Sequence, residues 1–413
     1  KGLKVLLLDR GRNVEHVKDY VNATKHPWEF EYRGITTQEM IQNGAYNGKN
    51  SDFWVSRKEN PYVQEEKFEW FRGYQVGGRS LTWGRQSYRL SDLDFEANLK
   101  DGHGTDWPIR YRDIAPWYSY VERWAGISGN RDGLEILPDG DYLPAMPMNV
   151  VERDLANRIK KAYAGRRHII MGRVANITVP HQGRINCQFQ KQCWLGCNFG
   201  AYFSSQSSTL PAAISTGNLT LRPYSIVTRI LYDKETKQGK GVEVLDAETG
   251  LTYEYHSRII FLCASAFNST WILMNSATDI WPAGLGSSSG ALGHYVMDHH
   301  NRCGASGTVE GYLDKYYYGR RPTGLYIPRF RNVNGDERDY VRGFGYQGAA
   351  SRERWQGAIG ELSIGGAWKD ALCEPGRWTI GFSGFGEILP YHGNRIHINT
   401  DIKDRWGLPV LAM

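Results

Sequence analysis

The sequence predicts a mixed α/β (α+β) fold, an α/β region followed by an antiparallel sheet. Three observations predict it. The chain opens on "KVLLLDRG" (Lys4–Gly11), a short apolar run closed by an acid and a glycine, which reads as a buried strand. Strand patterns and amphipathic-helix patterns then alternate through the first two thirds of the chain. Residues 304–400 are strand-like, with frequent Gly, Tyr and Ile, the pattern of an antiparallel sheet.

Each element follows in order. An acid at the end of a strand such as Lys4–Gly11 is where a dinucleotide-binding fold bonds the adenosine ribose; Asp9 would be that acid, with a glycine fingerprint roughly twenty residues before it, and an ordinary strand end is the alternative. Residues 12–70 are polar and irregular. In "DWPIRYRDIAPWYSYVERWAGISG" (Asp106–Gly129), Asp113 suits a helix N-cap, Pro116 the first turn and Gly126 the far end. Trp117, Tyr120, Val121 and Trp124 share one face of that helix, and this face is expected in the core. Residues 130–147 hold several Gly and Pro and read as loop. "NVVERDLANRIKKAYAG" (Asn149–Gly165) is a second amphipathic helix, and a cysteine-bearing loop runs over 182–203. Ser208–Asp233 gives a short helix and a strand through Leu219, Leu221 and Ile226. Gly239–Ser265 reads as a hairpin around "AETG" that leads into a buried strand, and a helix follows through "AFNSTWILMNSA".

Composition excludes several classes. The net charge of +6 is spread along the chain without a basic run of five, so no nucleic-acid footprint is present. No apolar run approaches the roughly 20 residues that span a bilayer, so the chain carries no transmembrane segment of that kind. Aromatic residues are plentiful, with 14 Trp and 25 Tyr; they suit sugars and flat cofactors as well as cores. The chain begins without Met, already in a strand, and ends on "WGLPVLAM"; both ends read as the interior of a longer protein.

The most unusual stretch is "VGGRSLTWGRQSYR" (Val76–Arg89), which sets three glycines among three arginines. Glycine admits positive φ and close backbone approach, and consecutive loop N–H groups make an anion-binding concavity. On its own the stretch is also compatible with a charged surface turn. Its context decides. "GGRSLTWGRQSYRLSDLDFE", "WPIRYRDIAPWYSYVE", "RIIFLCASAFNSTWILMNSA", "LGHYVMDHH" and "ILPYHGNRIHINTDIKDRWGLPVL" come in one order, and together they resemble the glucose–methanol–choline (GMC) oxidoreductase family of flavoproteins over nearly the whole chain.

The resemblance implies a Rossmann-like FAD-binding domain, mainly residues 1–303, and a substrate domain built on an antiparallel sheet, mainly 304–413. It implies hydride transfer from an alcohol carbon, of a sugar or polyol, to flavin. Carried over, Gly77, Gly78, Ser80, Leu81, Trp83 and Gly84 line the flavin, and Asp9 takes the ribose. Val227 meets the adenine through its backbone, and Ala264 and Ser265 lie near the dinucleotide. The pyranose 2-oxidase branch bonds its flavin through a His in this loop; here Thr82 stands in that place, so FAD is expected to bind non-covalently. The family's catalytic His pair is expected beyond residue 413 and its first glycine turn before residue 1, so the 413-residue chain alone is expected to hold FAD weakly and not to turn over. His299 and His300 in "MDHH" and His397 in "NRIHINT" are expected to be structural. An oxidase that uses oxygen, and a non-catalytic flavin-fold scaffold or sugar-binding protein, are the alternatives.

Cys187, Cys193 and Cys197 stand close together in "CQFQKQCWLGC", whereas Cys263, Cys303 and Cys373 are isolated, Cys263 as a small core residue. Three thiols so spaced suit a metal, an iron–sulfur cluster, or a disulfide with one thiol left over, and inert thiols are the alternative. The loop resembles that of the bacterial FAD-dependent sugar dehydrogenase branch, which implies a [3Fe-4S] cluster held by these three. It also implies a cytochrome or quinone as electron acceptor, a small partner subunit and a periplasmic location.

Overall fold

The computed structural model of the chain describes all residues except 1, 191–192, 318–320 and 354–363; the last two stretches of the expected sheet region therefore lie outside the described residues. Strand β1 (Val5–Leu8) pairs in parallel with β3 (Leu219–Arg222), Val5 against Leu219. The expectation that β1 is buried fails in part: Val5 and Leu6 are exposed, because the other edge of the strand has no partner among the described residues. The run 257–264 forms no strand either. Ile259 and Phe261 are exposed while Ile260 and Leu262 pack inward. Cys263, expected in the core, is exposed for the same reason: no described neighbouring strand pairs with this segment.

The strand expected through Leu219 and Ile226 is two strands. Tyr224, at φ 54°, breaks it, so that β3 joins β1 and β4 (Ser225–Asp233) starts a meander with β5 (Gln238–Asp246) and β6 (Thr252–His256). The "AETG" hairpin forms as expected between β5 and β6; the Asp246 carboxylate accepts from the N–H groups of Glu248 and Thr249 and fixes the turn.

An antiparallel five-stranded sheet has the order β2 (Ile170–Met171), β8 (Leu325–Ile327), β9 (Gly345–Arg352), β10 (Trp378–Glu387), β7 (His299–Val309). One face packs on the helix Val150–Ala162. Ala350, Trp378 and Ile380 meet Val151, and Leu325 and Phe382 join the cluster that takes in Leu155 and Ile159. The helix is tied down by its own cap. Asn149 accepts from Glu152 N and donates to Ala350 O, and the fully buried Glu152 carboxylate accepts from Ala350 N and pairs with Arg321.

Two further elements frame the molecule. The helix expected near Asp106–Gly129 is α1 (Tyr111–Ala125), and the Val150–Ala162 helix is α2. Helix α1 starts before Asp113, which therefore sits in its first turn and accepts from Arg110 N, while Pro116 falls in the second turn; Gly126, at φ 75°, ends it as expected. Its aromatic face is not core: Trp117, Tyr120 and Val121 are 66%, 62% and 59% exposed. What α1 buries instead is Glu122, paired with the buried Arg89, together with Ala125. The hairpin of β11 (His397–Lys403) and β12 (Pro409–Ala412) packs Ile396 and Leu411 on Val244, Trp271 and Ile272. His397 lies on the β11 strand face, 3.1 Å from the Glu65 carboxylate, and His299 and His300 are β7 ladder residues opposite Glu387 and Gly386.

Candidate functional site

The end of β1 and the glycine loop are held together by backbone. Val76 N donates to Arg12 O, and Tyr224 N donates to Gly11 O. A Cβ on Gly11 would fall 1.8 Å from Tyr74 O, so only glycine lets the two loops meet this closely. Ser225 N donates to Asp9 O at the start of β4. Asp9, Gly77, Gly78 and the β4 strand bearing Val227 are thus brought into one region. Leu8, Val227, Leu262 and Phe267 belong to one apolar cluster, which draws in the segment of Ala264 and Ser265. Both of these are exposed, and Ser265, at φ 70°, caps α4 (Ala266–Asn275), the successor of the short α3 (Thr209–Ser215).

Within the loop, Gly77 takes φ 85° and opens a tight turn over Gly78–Leu81. Ser80 Oγ donates to Gly77 O and accepts from Ser205 N. Leu81 is buried in the core beneath. Trp83 Nε1 donates to Phe203 O, and Trp83 O accepts from Tyr202 Oη and Trp194 Nε1. The cysteine-bearing segment and its continuation therefore strap the glycine loop in place. Gln206, 3% exposed, donates to Val76 O and lies against Gly77, where a Cβ would come within 2.2 Å of its amide nitrogen. Ser205 and Gln206 carry no local sequence signal; only the fold brings them 125 and 130 residues along the chain to the turn.

A polar cofactor fits this region on three counts. Buried side-chain atoms in and against the loop lack partners: Thr82 Oγ1, Arg85 Nη1 and Gln206 Oε1. Beside Gly84 a Cβ would meet nothing within 4 Å, and beside Gly78 only Gly73 O at 3.5 Å, so the loop's outer side has room. The Asp9 carboxyl accepts from Gly11 N, yet burial pushes it up to about 6. A desolvated carboxylate of this kind is relieved by a ligand that donates hydrogen bonds, as a ribose diol does.

The loop continues to Gln86, which lines an open cavity of about 1490 Å³. The far wall of that cavity is the exposed face of the five-stranded sheet, including Gln347, Ser351, Thr379 and Ser383; Trp194 and Phe189 of the cysteine-bearing segment complete the near side. Sequence reasoning missed these sheet residues, because single Ser and Thr in a Gly-rich strand carry no motif.

Cys187, Cys193 and Cys197 line one small cavity of about 20 Å³ with Asn176 and Asn198. They do not form a set that could hold a metal ion, and no such set occurs among the described residues. The three are free thiols. Burial pushes Cys187 up to about 11 and raises Cys193 against the opposing pull of Arg85.

Residues 37–300 match the family model described as GMC oxidoreductase. The chain is 29% identical to the 2-methyl-1,2-propanediol dehydrogenase of Mycolicibacterium austroafricanum, over 99% of this chain and 71% of that protein. It is 23% identical to the fructose dehydrogenase large subunit of Gluconobacter japonicus, over 99% of this chain and 74% of that one. Among solved structures, formate oxidase from Aspergillus oryzae superposes with a TM-score of 0.52 at 12% identity, covering 100% of this chain and 73% of that one.

Proposed function

The chain belongs to the GMC oxidoreductase family and is an FAD-dependent oxidoreductase of CH–OH groups; from that premise we propose that it is a dehydrogenase of sugars or polyols. One observation carries the reading: a strapped glycine loop with unpartnered buried polar atoms runs directly into a large cavity walled by a polar sheet face. Bound FAD supplies a hydride acceptor for the carbinol carbon. On this reading Asp9 accepts hydrogen bonds from the ribose, and Gly77, Gly78, Ser80, Leu81, Trp83 and Gly84 line the flavin, Leu81 through its backbone because its side chain is buried in the core. Val227, Ala264 and Ser265 flank the dinucleotide. Thr82 has no nucleophilic nitrogen to form a flavin bond, so the cofactor is held non-covalently. Residues 1–303 then form mainly the FAD domain and 304–413 mainly the substrate domain, with β11 and β12 returning to the first.

The acceptor is proposed to be a cytochrome or quinone; a small partner subunit is proposed by analogy with the relative named as a fructose dehydrogenase large subunit. Cys187, Cys193 and Cys197 share a cavity, and Trp194 beside them straps the glycine loop, but the three thiols form no set that could hold a metal ion, so the [3Fe-4S] cluster is not part of this reading. The main reading is tested by anaerobic addition of sugars and polyols to the FAD-loaded full-length protein. Bleaching of the flavin absorbance is the expected result, and an unchanged spectrum across the panel sinks it.

A further inference from the structure

The five-stranded sheet has two chemically opposite faces. Alternation puts Ala350, Trp378, Ile380, Phe382 and Leu325 on the face packed against α2. The other face carries Gln347, Ala349 and Ser351 on β9, and Thr379, Gly381 and Ser383 on β10. These stand opposite one another as Gln347 with Ser383, Ala349 with Gly381 and Ser351 with Thr379. Ser306 and Thr308 of β7, opposite Gly381 and Thr379, extend the pattern. The result is a ladder of short hydroxyl and amide groups around a floor, Ala349 and Gly381, with no side chain beyond Cβ. The side chains of Gln347, Ser351 and Ser383 make no hydrogen bond to another described residue, whereas Thr379 Oγ1 donates to Ser351 O.

Charge narrows the occupant. No charged residue lies in 347–351 or 379–383. Most of the cations that line the same cavity are held by other groups. Arg153 donates to Met148 O, Lys315 pairs with Asp314, Arg321 pairs with Glu152, and Arg352 donates to the carbonyls of Leu313, Lys315, Pro375 and Gly376. Arg153 and Glu374, which also line the cavity, have no ion-pair partner among the described residues, so it is the uncharged ladder and not the cavity as a whole that favours neutral hydroxyl groups. A neutral polyhydroxylated molecule finds donors and acceptors at strand spacing, with Phe385 and Trp194 beside them for its C–H faces.

Building on the proposed CH–OH oxidoreductase reading, we propose that Gln347, Ser351 and Ser383 are specificity-determining residues. They read the hydroxyls of a neutral sugar or polyol at positions away from the carbon oxidised. A site that hydrogen-bonds a substrate hydroxyl rejects the analogue lacking it.

The test uses the FAD-loaded full-length protein with Gln347→Ala, Ser351→Ala and Ser383→Ala. The substrates are hexitols, aldoses and their monodeoxy forms, with gluconate and an aminoglycoside as charged comparators. Neutral compounds are expected to be the best substrates. Each variant is expected to raise KM for them by about three- to tenfold, one net hydrogen bond, with a smaller change in kcat. Discrimination against one particular deoxy analogue should fall by the same factor, which a merely structural defect would not produce. Flavin that is reduced by sugars while all three variants keep wild-type KM and wild-type discrimination overturns the proposal and leaves the activity standing; so does a preference for gluconate or the aminoglycoside. Flavin that no CH–OH compound reduces overturns both.

Discussion

The glycine-loop end and the open face of the sheet are built on contrary plans. Around Gly77 nearly every contact is made by backbone or by buried side chains, and several polar atoms are held dry without partners. On the sheet face the polar atoms belong to short side chains in contact with solvent, and their removal disturbs nothing beneath. The first plan stores unfavourable desolvation that a bound group relieves. The second leaves residues that can change without unfolding the sheet. A cofactor common to a family suits the first plan, and a variable substrate suits the second.

The largest losses are expected where a buried group loses its partner or gains a clash. Glu152→Ala removes the buried partner of Arg321 and of Ala350 N, on the packed side of the sheet. It should cost about 3–5 kcal/mol in chemical denaturation. Gly77→Ala places a Cβ against the Gln206 amide at a φ of 85°. It should cost ~2–5 kcal/mol and deplete bound flavin, read as the ratio of flavin to protein absorbance. If Gly77→Ala keeps its flavin, the loop is not the rigid end.

Asp9 gives a smaller effect with a definite pH signature. Its carboxyl is raised from 3.8 to about 6 by burial, so between about pH 4 and 6 the folded protein holds a proton that the unfolded chain has lost. Asp9 therefore lowers stability as pH rises through that window, and the penalty is complete above it. The apoprotein should lose about 1–3 kcal/mol from this source between pH 4 and 7. Asp9→Asn should flatten that slope, as seen in denaturant midpoints across pH. The smallest effect belongs to the open face. Ser351→Ala should change stability by no more than about 0.5 kcal/mol. A larger loss there would erase the distinction between the two plans.

These regions were unequally legible in the sequence. Gly77, Gly78 and Asp9 could be found because turn chemistry and a strand-ending acid are local signals. Gln206 could not, since its role depends on reaching Val76 across the fold. Helix α1 misled for a related reason. Periodicity marks Trp117, Tyr120 and Val121 as an apolar face, but the side that is buried holds the ion pair of Arg89 and Glu122, and hydrophobic patterning does not register a paired charge. Phe261 and Cys263 read as core because a strand's burial depends on its neighbours, and no neighbour pairs with that segment among the described residues. The sheet as a class was legible from its composition, whereas the hydroxyl ladder needed the register.

The most direct measurement sets two readouts of Asp9→Asn side by side at pH 7: the denaturant midpoint of the apoprotein and its affinity for FAD. The two are expected to move in opposite directions, the midpoint rising as a desolvated charge is removed and the affinity falling as the ribose acceptor is weakened. A midpoint that falls, or an affinity that does not, would contradict the claim that this end of the molecule is built around a cofactor.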